Sequence, residues 1–289
     1  MPTSHSELKD IQAVLARMRS GKLKIHLPQR RELHRKRPKS HFHAIPELFI
    51  QTGGATDFDC AGECFRLLTG DICVMPRGVP HRETPVDLAT PYSIICICGF
   101  RDGVQLRRAQ SDISGKIYGY NADSYTGKRF NTLLSYLDDI SRKDNLAPKF
   151  RKPYMQGLLE AYFCALCSEL AQPRTPEPNP APHLVAEAEK YVHGRLSDSG
   201  LTVAGIATTL NCTADHLSRQ FHRVRGLTLT SWIAQERIAQ ACNLLEDPGY
   251  NISEIGWACG FNEPSYFIRI FKRHMGMTPR QFRLTTNKP

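Results

Sequence analysis

The chain of 289 residues is long enough for two domains, and 38 Lys and Arg against 28 Asp and Glu give it a formal net charge of +10, the balance of a protein that meets a polyanion. No apolar run reaches the roughly 18 residues of a membrane span, and the N-terminus lacks the basic-then-apolar pattern of a secretory signal, so a cytoplasmic protein with no membrane partner is expected. Ten cysteines are scattered along it, with Cys60 and Cys64, Cys96 and Cys98, and Cys164 and Cys167 as the close pairs. In a reducing compartment these are thiols.

The first marked feature is "RMRSGKLKIHLPQRRELHRKRPK", residues 17–39, with ten basic residues and a single acid, Glu32. It reads as an arm that contacts phosphate or as the solvated edge of the first domain, and the edge is preferred. Residues 40–100 then read as short strands broken by turns, as in "HAIPELFIQTGG", "FRLLTGDICVMPRGVPH" and "YSIICICGF". Residues i and i+2 of a strand share a face, so His41 and His43 point together, Glu47 keeps their parity, and His81 can converge on them. Imidazole and carboxylate in that number suit Zn, Fe, Ni or Mn.

Two segments here, "HFHAIPELFIQTGG" and "GDICVMPRGVPH", resemble the two cupin motifs. By that resemblance His41, His43 and Glu47 hold the ligand positions of the first motif and His81 that of the second, while Gly54, Gly70, Pro76 and Gly78 match its turn residues. The pattern departs from the motif at Arg35, in place of the opening glycine, and at Pro85, in place of the closing asparagine. The resemblance implies a β-barrel.

Two helical stretches follow, "NTLLSYLDDISRK" and "YMQGLLEAYFCALCSELA", the second with Leu158, Leu159, Tyr162, Phe163, Leu166 and Leu170 on adjoining faces. One face packs on the domain, and the other is read either as a surface that pairs subunits or as internal packing. The "CALC" of this stretch reads as packing rather than as a redox or zinc site. Five prolines in "QPRTPEPNPAPH" then mark an extended linker. The expected organisation is a first domain over 1–171, a linker over 172–182 and a second domain over 183–289.

In the second domain "LTVAGIATTLNCTADHLSRQFHR" reads as two helices, the first capped by Thr202 with Val203, Ile206 and Leu210 inward, the second capped by Thr213 with Leu217 and Phe221 inward. Outward lie Asp215, His216, Ser218, Arg219, His222 and Arg223. A connecting helix, "LTSWIAQERIAQACNLLED", carries an apolar stripe from Trp232 to Leu245. The grammar then repeats: "ISEIGWACGF" gives a short helix with Ile252, Ile255 and Ala258 inward, a three-residue turn and a longer helix capped by Asn262, with Glu263 and Pro264 in its first turn. Phe267, Ile270 and Phe271 form its buried stripe, and Ser265, Ile268, Arg269, Lys272 and Arg273 face away with Glu263. Phe221 and Phe271 stand 50 residues apart, which suits duplicated helices entering major-groove segments roughly 34 Å apart. Only 12 basic residues against 9 acids lie in 183–289, so the charge excess sits mostly outside these helices.

With "HLSRQFHRVRG", "RIAQACNLL" and "ISEIGWACGFNEPSYFIRIFKRHMGMTPRQFR" in that order, residues 183–285 resemble the DNA-binding domain of AraC/XylS-type transcription regulators. The chain departs from the pattern at Gly205, inside a helix, and at Ile268, where small polar residues are frequent. The resemblance implies an α+β two-domain protein, with a cupin-like barrel and helices followed by an all-α double helix-turn-helix domain. It implies a sequence-specific regulator, more an activator than a repressor, that meets promoter DNA and RNA polymerase, forms a homodimer and catalyses no reaction. In regulators of this type the barrel binds a small organic effector, so His41, His43, Glu47 and His81 are read first as the polar lining of an effector pocket and second as a divalent-metal shell. Metal or redox sensing, and a cupin enzyme after it, are the alternatives.

Overall fold

In the computed structural model of the protein, the described residues are 4–28, 46–172 and 183–286, apart from 61–62, 88–89, 101–102, 113, 127–131, 134–135, 138–139, 141–145 and 247–248. The chain divides into two compact units, the first ending at residue 174 and the second running from 175. The segment read as a linker lies outside the described residues except for Gln172.

The first unit opens with α1 (Ser4–Arg19), a helix missing from the expectations above because its apolar stripe is narrow among polar residues. That stripe, Ile11, Val14, Leu15 and Met18, is buried. The basic run begins in its last turn, and there Arg19 donates to Glu160 at 2.7 Å and Arg17 to the carbonyl of Lys22. Those two cations are therefore held on the unit itself, whereas residues 29–39 of the run lie outside the described residues.

Among the described residues nine strands follow: β1 (Ile25–His26), β2 (Glu47–Gly53), β3 (Ala55–Cys60), β4 (Glu63–Leu68), β5 (Ile72–Met75), β6 (His81–Pro85), β7 (Ser93–Phe100), β8 (Gly103–Ser111) and β9 (Ile117–Thr126). They make a six-stranded sheet in the order β1-β5-β2-β7-β8-β9 and a three-stranded sheet in the order β4-β3-β6. All pairings are antiparallel except β1 with β5. The sequence reading stops short of β8 and β9, whose polar side chains do not alternate cleanly with apolar ones.

Strand alternation divides the large sheet into two faces. Leu48, Ile50, Ile72, Val74, Ile95, Ile97, Val104 and Leu106 turn toward the helices, where α1 and α2 (Pro148–Leu170) supply Leu159, Tyr162, Phe163 and Leu166. Residues of the other parity, Phe49, Cys73, Met75 and Ile94, pack on Phe58, Cys60 and Leu67 of the small sheet and on Val79, so the two sheets share a second core. The buried Arg108 fastens α1 to the sheet, pairing with Asp10 and lying 3.5 Å from Glu7.

The second unit is all helical: α3 (His183–His193), α4 (Val203–Thr209), α5 (Ala214–Arg225), α6 (Leu229–Leu245), α7 (Ile252–Ala258), α8 (Pro264–Met275) and α9 (Pro279–Thr286). Two cores form along α6. Its first half, with Leu229 and Ile233, packs on Val185, Val192, Ile206, Leu217 and Phe221. Its second half, with Ile238, Ala241, Leu244 and Leu245, packs on Ile255, Phe267, Ile270 and Phe271. Val203, Leu210 and Ile252 of the expected stripes are half-buried at the margins of these cores.

Candidate functional site

Two helix-turn-helix units stand out in the second unit because their second helices match position by position. Both α5 and α8 are 12 residues long, and each ends on a left-handed glycine, Gly226 at φ 72° and Gly276 at φ 73°. A shift of 50 residues superimposes Leu217 on Phe267, Phe221 on Phe271 and Arg219 on Arg269. All four of those apolar side chains are fully buried.

The caps differ. Thr213 accepts a hydrogen bond from the amide of His216, which fixes the start of α5. At α8 the cap position falls on Glu263 rather than on Asn262, and no side chain bonds the first amides. Pro264 explains this, since the ring fixes φ at the first helical residue and removes one of the amides that a cap would satisfy. The turn before α8, Cys259–Glu263, is also longer than the three residues expected. It reverses at Gly260, where φ is 82° and an added Cβ would meet the carbonyl of Leu196. The two extra residues are accommodated there because Phe261 folds back into the core, buried between Arg237 and Phe267.

Every residue expected to face DNA is exposed: Asp215, His216, Ser218, Arg219, His222 and Arg223 on α5, and Glu263, Ser265, Ile268, Arg269, Lys272 and Arg273 on or just before α8. Among the described residues no ion pair engages Arg219, Lys272 or Arg273. Arg269 lies over the ring of Tyr266, 5.3 Å from its centroid, and Arg223 donates to Gln220 on the same helix. In contrast, Arg225 is drawn to Glu189 of α3, which removes it from the outward set.

The first unit carries a second concentration of chemistry, on the inner face of the large sheet. In register, Glu47 of β2 stands opposite Cys98 of β7, and Cys98 stands opposite Gln105 of β8; in the next row Phe49, Cys96 and Arg107 align. The Cys98 thiol donates to Glu47 Oε1 at 2.9 Å, and the sulfurs of Cys96 and Cys98 are 3.3 Å apart. Burial pushes the Glu47 carboxyl well above its ordinary range, with Cys98 adding to the effect. The hydrogen bond from Cys96, backed by the Arg107 guanidinium, lowers the Cys98 thiol against its burial.

His81, fully buried, opens β6 on the opposite sheet. Its Nδ1 lies 2.8 Å from the carbonyl of Val79, so Nδ1 carries the proton in the neutral ring and Nε2 presents its lone pair. Nε2 looks toward Glu47 Oε2 at 3.7 Å and Glu83 Oε1 at 3.8 Å. Of the four residues expected to converge, Glu47 and His81 do so, and His41 and His43 lie outside the described residues. Sequence reasoning missed Cys96 and Cys98 as partners of Glu47, although the alternation "IICIC" already puts both thiols on one strand face.

Comparison with known proteins agrees with this division. Residues 27–147 match the model of the AraC-like ligand binding domain, and residues 206–285 match that of a helix-turn-helix domain. The chain belongs to the AraC family of transcription regulators. Among its relatives, the Msm operon regulatory protein of Streptococcus mutans is 27% identical over 75% of this chain and 76% of its own length. The arabinose operon regulatory protein of Escherichia coli is 34% identical, with 36% of each chain covered, so that likeness extends to about a third of either protein. A solved structure of the C-terminal domain of AraT, a response regulator from Geobacillus stearothermophilus, is 30% identical over 37% of this chain and 88% of that one, with a TM-score of 0.36. No helix among the described residues is long and apolar enough to cross a membrane.

Proposed function

We propose that the second unit reads promoter DNA with α5 and α8 in successive major-groove segments, and that the first unit controls it by binding a small organic effector between its two sheets. The observation that carries the DNA reading is the 50-residue correspondence of the two helices, which puts an exposed arginine, Arg219 or Arg269, at the same place on each. An arginine in that place offers the planar fork that bonds a guanine edge. Lys272, Arg273 and Arg223 serve phosphates, and Ile268, 38% exposed, suits a thymine methyl. Asp215, His216, Ser218, His222, Glu263 and Ser265 complete the contact surface. Purified protein should bind fragments from upstream of its own gene, with affinity that falls steeply with salt. A folded protein that binds none of them at low salt sinks the reading.

Activation, with a contact to RNA polymerase and pairing of two copies, completes this proposal. The relatives named transcriptional activator RhaR lend support to activation. Ligand entry shifts the population of DNA-competent geometries, to an extent set by its differential affinity for them.

A second reading is favoured by one observation, the approach of His81 Nε2 to Glu47 Oε2. It makes His41, His43, Glu47 and His81 a shell for a divalent metal, with the regulator responding to the ion. Metal analysis of tag-free protein separates the two readings. Protein without metal whose DNA affinity responds to a small molecule supports the effector; about one equivalent of metal, lost in His43→Ala, supports the shell.

A further inference from the structure

We propose that Glu47, Cys96 and Cys98 bind a thiophilic divalent cation, zinc(II) foremost, on the inner face of the large sheet. This donor set differs from the histidine shell just described, shares only Glu47 with it, and stands whether or not the protein regulates transcription. One carboxylate oxygen and two thiol sulfurs lie within 4.8 Å of one another, in a place where Glu47 and Cys98 are almost wholly buried. The three groups already converge on one another, Cys98 on Glu47 and Cys96 on Cys98, as donors around a common centre do.

The spacings suit a tetrahedral ion. With Zn–S near 2.3 Å and Zn–O near 2.1 Å, ligand atoms on one zinc stand about 3.8 Å apart for two sulfurs and about 3.6 Å for sulfur and oxygen. Here the sulfurs are 3.3 Å apart, and Glu47 Oε1 lies 3.8 Å from Cys96 Sγ and 2.9 Å from Cys98 Sγ. Movements of well under 1 Å close the difference. The sulfurs already approach more closely than the roughly 3.5–4.0 Å at which even carbon atoms rest in contact.

Placement in the sheet makes the set rigid. Cys96 and Cys98 share a face of β7, and Glu47 is held in register opposite Cys98 by the β2–β7 ladder. Chelation therefore requires no loop to close. Two thiolates and a carboxylate around a divalent ion leave one negative charge, and the Arg107 guanidinium, in register opposite Cys96, cancels it. His81 faces the other carboxylate oxygen from the opposite sheet at 3.7 Å, and with its ring protonated it donates to that oxygen and orients Glu47. Soft sulfur donors select zinc over magnesium, calcium or manganese. As the ion binds, two metal–sulfur bonds and one metal–oxygen bond to Glu47 form in place of three bonds to water in its hydration shell, and the two thiol protons pass to solvent.

The test is a cobalt(II) titration of the full-length, tag-free protein kept reduced with a phosphine, followed by zinc(II). About one equivalent of cobalt should raise an intense thiolate-to-metal charge-transfer band in the near ultraviolet, and zinc should abolish it. Cys96→Ser and Cys98→Ser should each lose most of that band while keeping the far-ultraviolet circular dichroism of the parent. His81→Ala should keep the band with affinity lowered about 10–100-fold. Cys164→Ser and His43→Ala should leave it as it is. No band in the parent protein overturns the proposal, and that outcome needs no variant. So does a band that survives in Cys98→Ser, or metal binding without a thiolate band that disappears in His43→Ala, which would hand the ion to the histidine shell.

Discussion

Gly256 of α7 lies directly over the ring of Phe267 of α8: a Cβ at Gly256 would come within 2.9 Å of the ring edge. That contact sets the distance between the two helices of the second helix-turn-helix unit. Gly256→Ala should therefore destabilise the second unit by about 1–3 kcal/mol, the usual cost of an extra methyl in a filled core. Gly157→Ala is the opposite case, since that position is exposed within α2 and nothing lies within 4 Å of the added methyl. It should stabilise the first unit by about 0.5–1 kcal/mol. Urea denaturation followed separately for each unit checks both signs.

Thr213→Ala removes the oxygen that receives the His216 amide and should cost the second unit about 0.5–2 kcal/mol. Glu263→Ala at the equivalent position of α8 removes no such bond and should cost much less. Equal losses in thermal denaturation would show that the two starts are fixed by something other than their caps.

The second unit was readable from sequence because its elements are local. Leu217 and Phe221, like Phe267 and Phe271, sit four residues apart, and Thr202 and Thr213 announce their helices with one hydroxyl each. The miss at Asn262 has a local cause as well, since Pro264 one residue beyond Glu263 outweighs a good capping side chain. In the first unit the legible part was the strand pattern around Glu47 and His81. What escaped was non-local: Glu47 and Cys98 are 51 residues apart and meet only through the β2–β7 register. Nothing in the residues near Glu47 announces that pairing. The helix α1 escaped because its four buried apolar side chains become a stripe only against α2 and the sheet.

His26, on β1, stacks on Phe65 at 4.7 Å and is held below the ordinary histidine range, first by burial and then by Lys24. A lowered folded value means that the unfolded chain takes up the proton more readily. The stability of the neutral ring is fully present above its unfolded value near 6.5 and is lost as pH falls through the folded value. The first unit should therefore weaken between pH 7.5 and pH 5, and His26→Gln should flatten that part of the profile. An unchanged slope in the variant would assign the weakening to other groups.

Lys272 is exposed at the C-terminal end of α8 without an ion-pair partner among the described residues, which suits a phosphate contact. Lys272→Ala should weaken binding to all DNA sequences alike and reduce the salt slope of log K by about 1. A loss confined to one sequence would make it a base contact instead.

The most direct measurement is hydroxyl-radical footprinting of the full-length protein on the DNA upstream of its gene, alone and with Arg219→Ala or Arg269→Ala. Two protected segments are predicted, roughly 34 Å or one helical turn apart. Each variant should lose base discrimination in a different segment, at a cost of about 1–3 kcal/mol. A single protected segment affected alike by both variants, or uniform weakening across every sequence, would contradict two matched reading helices.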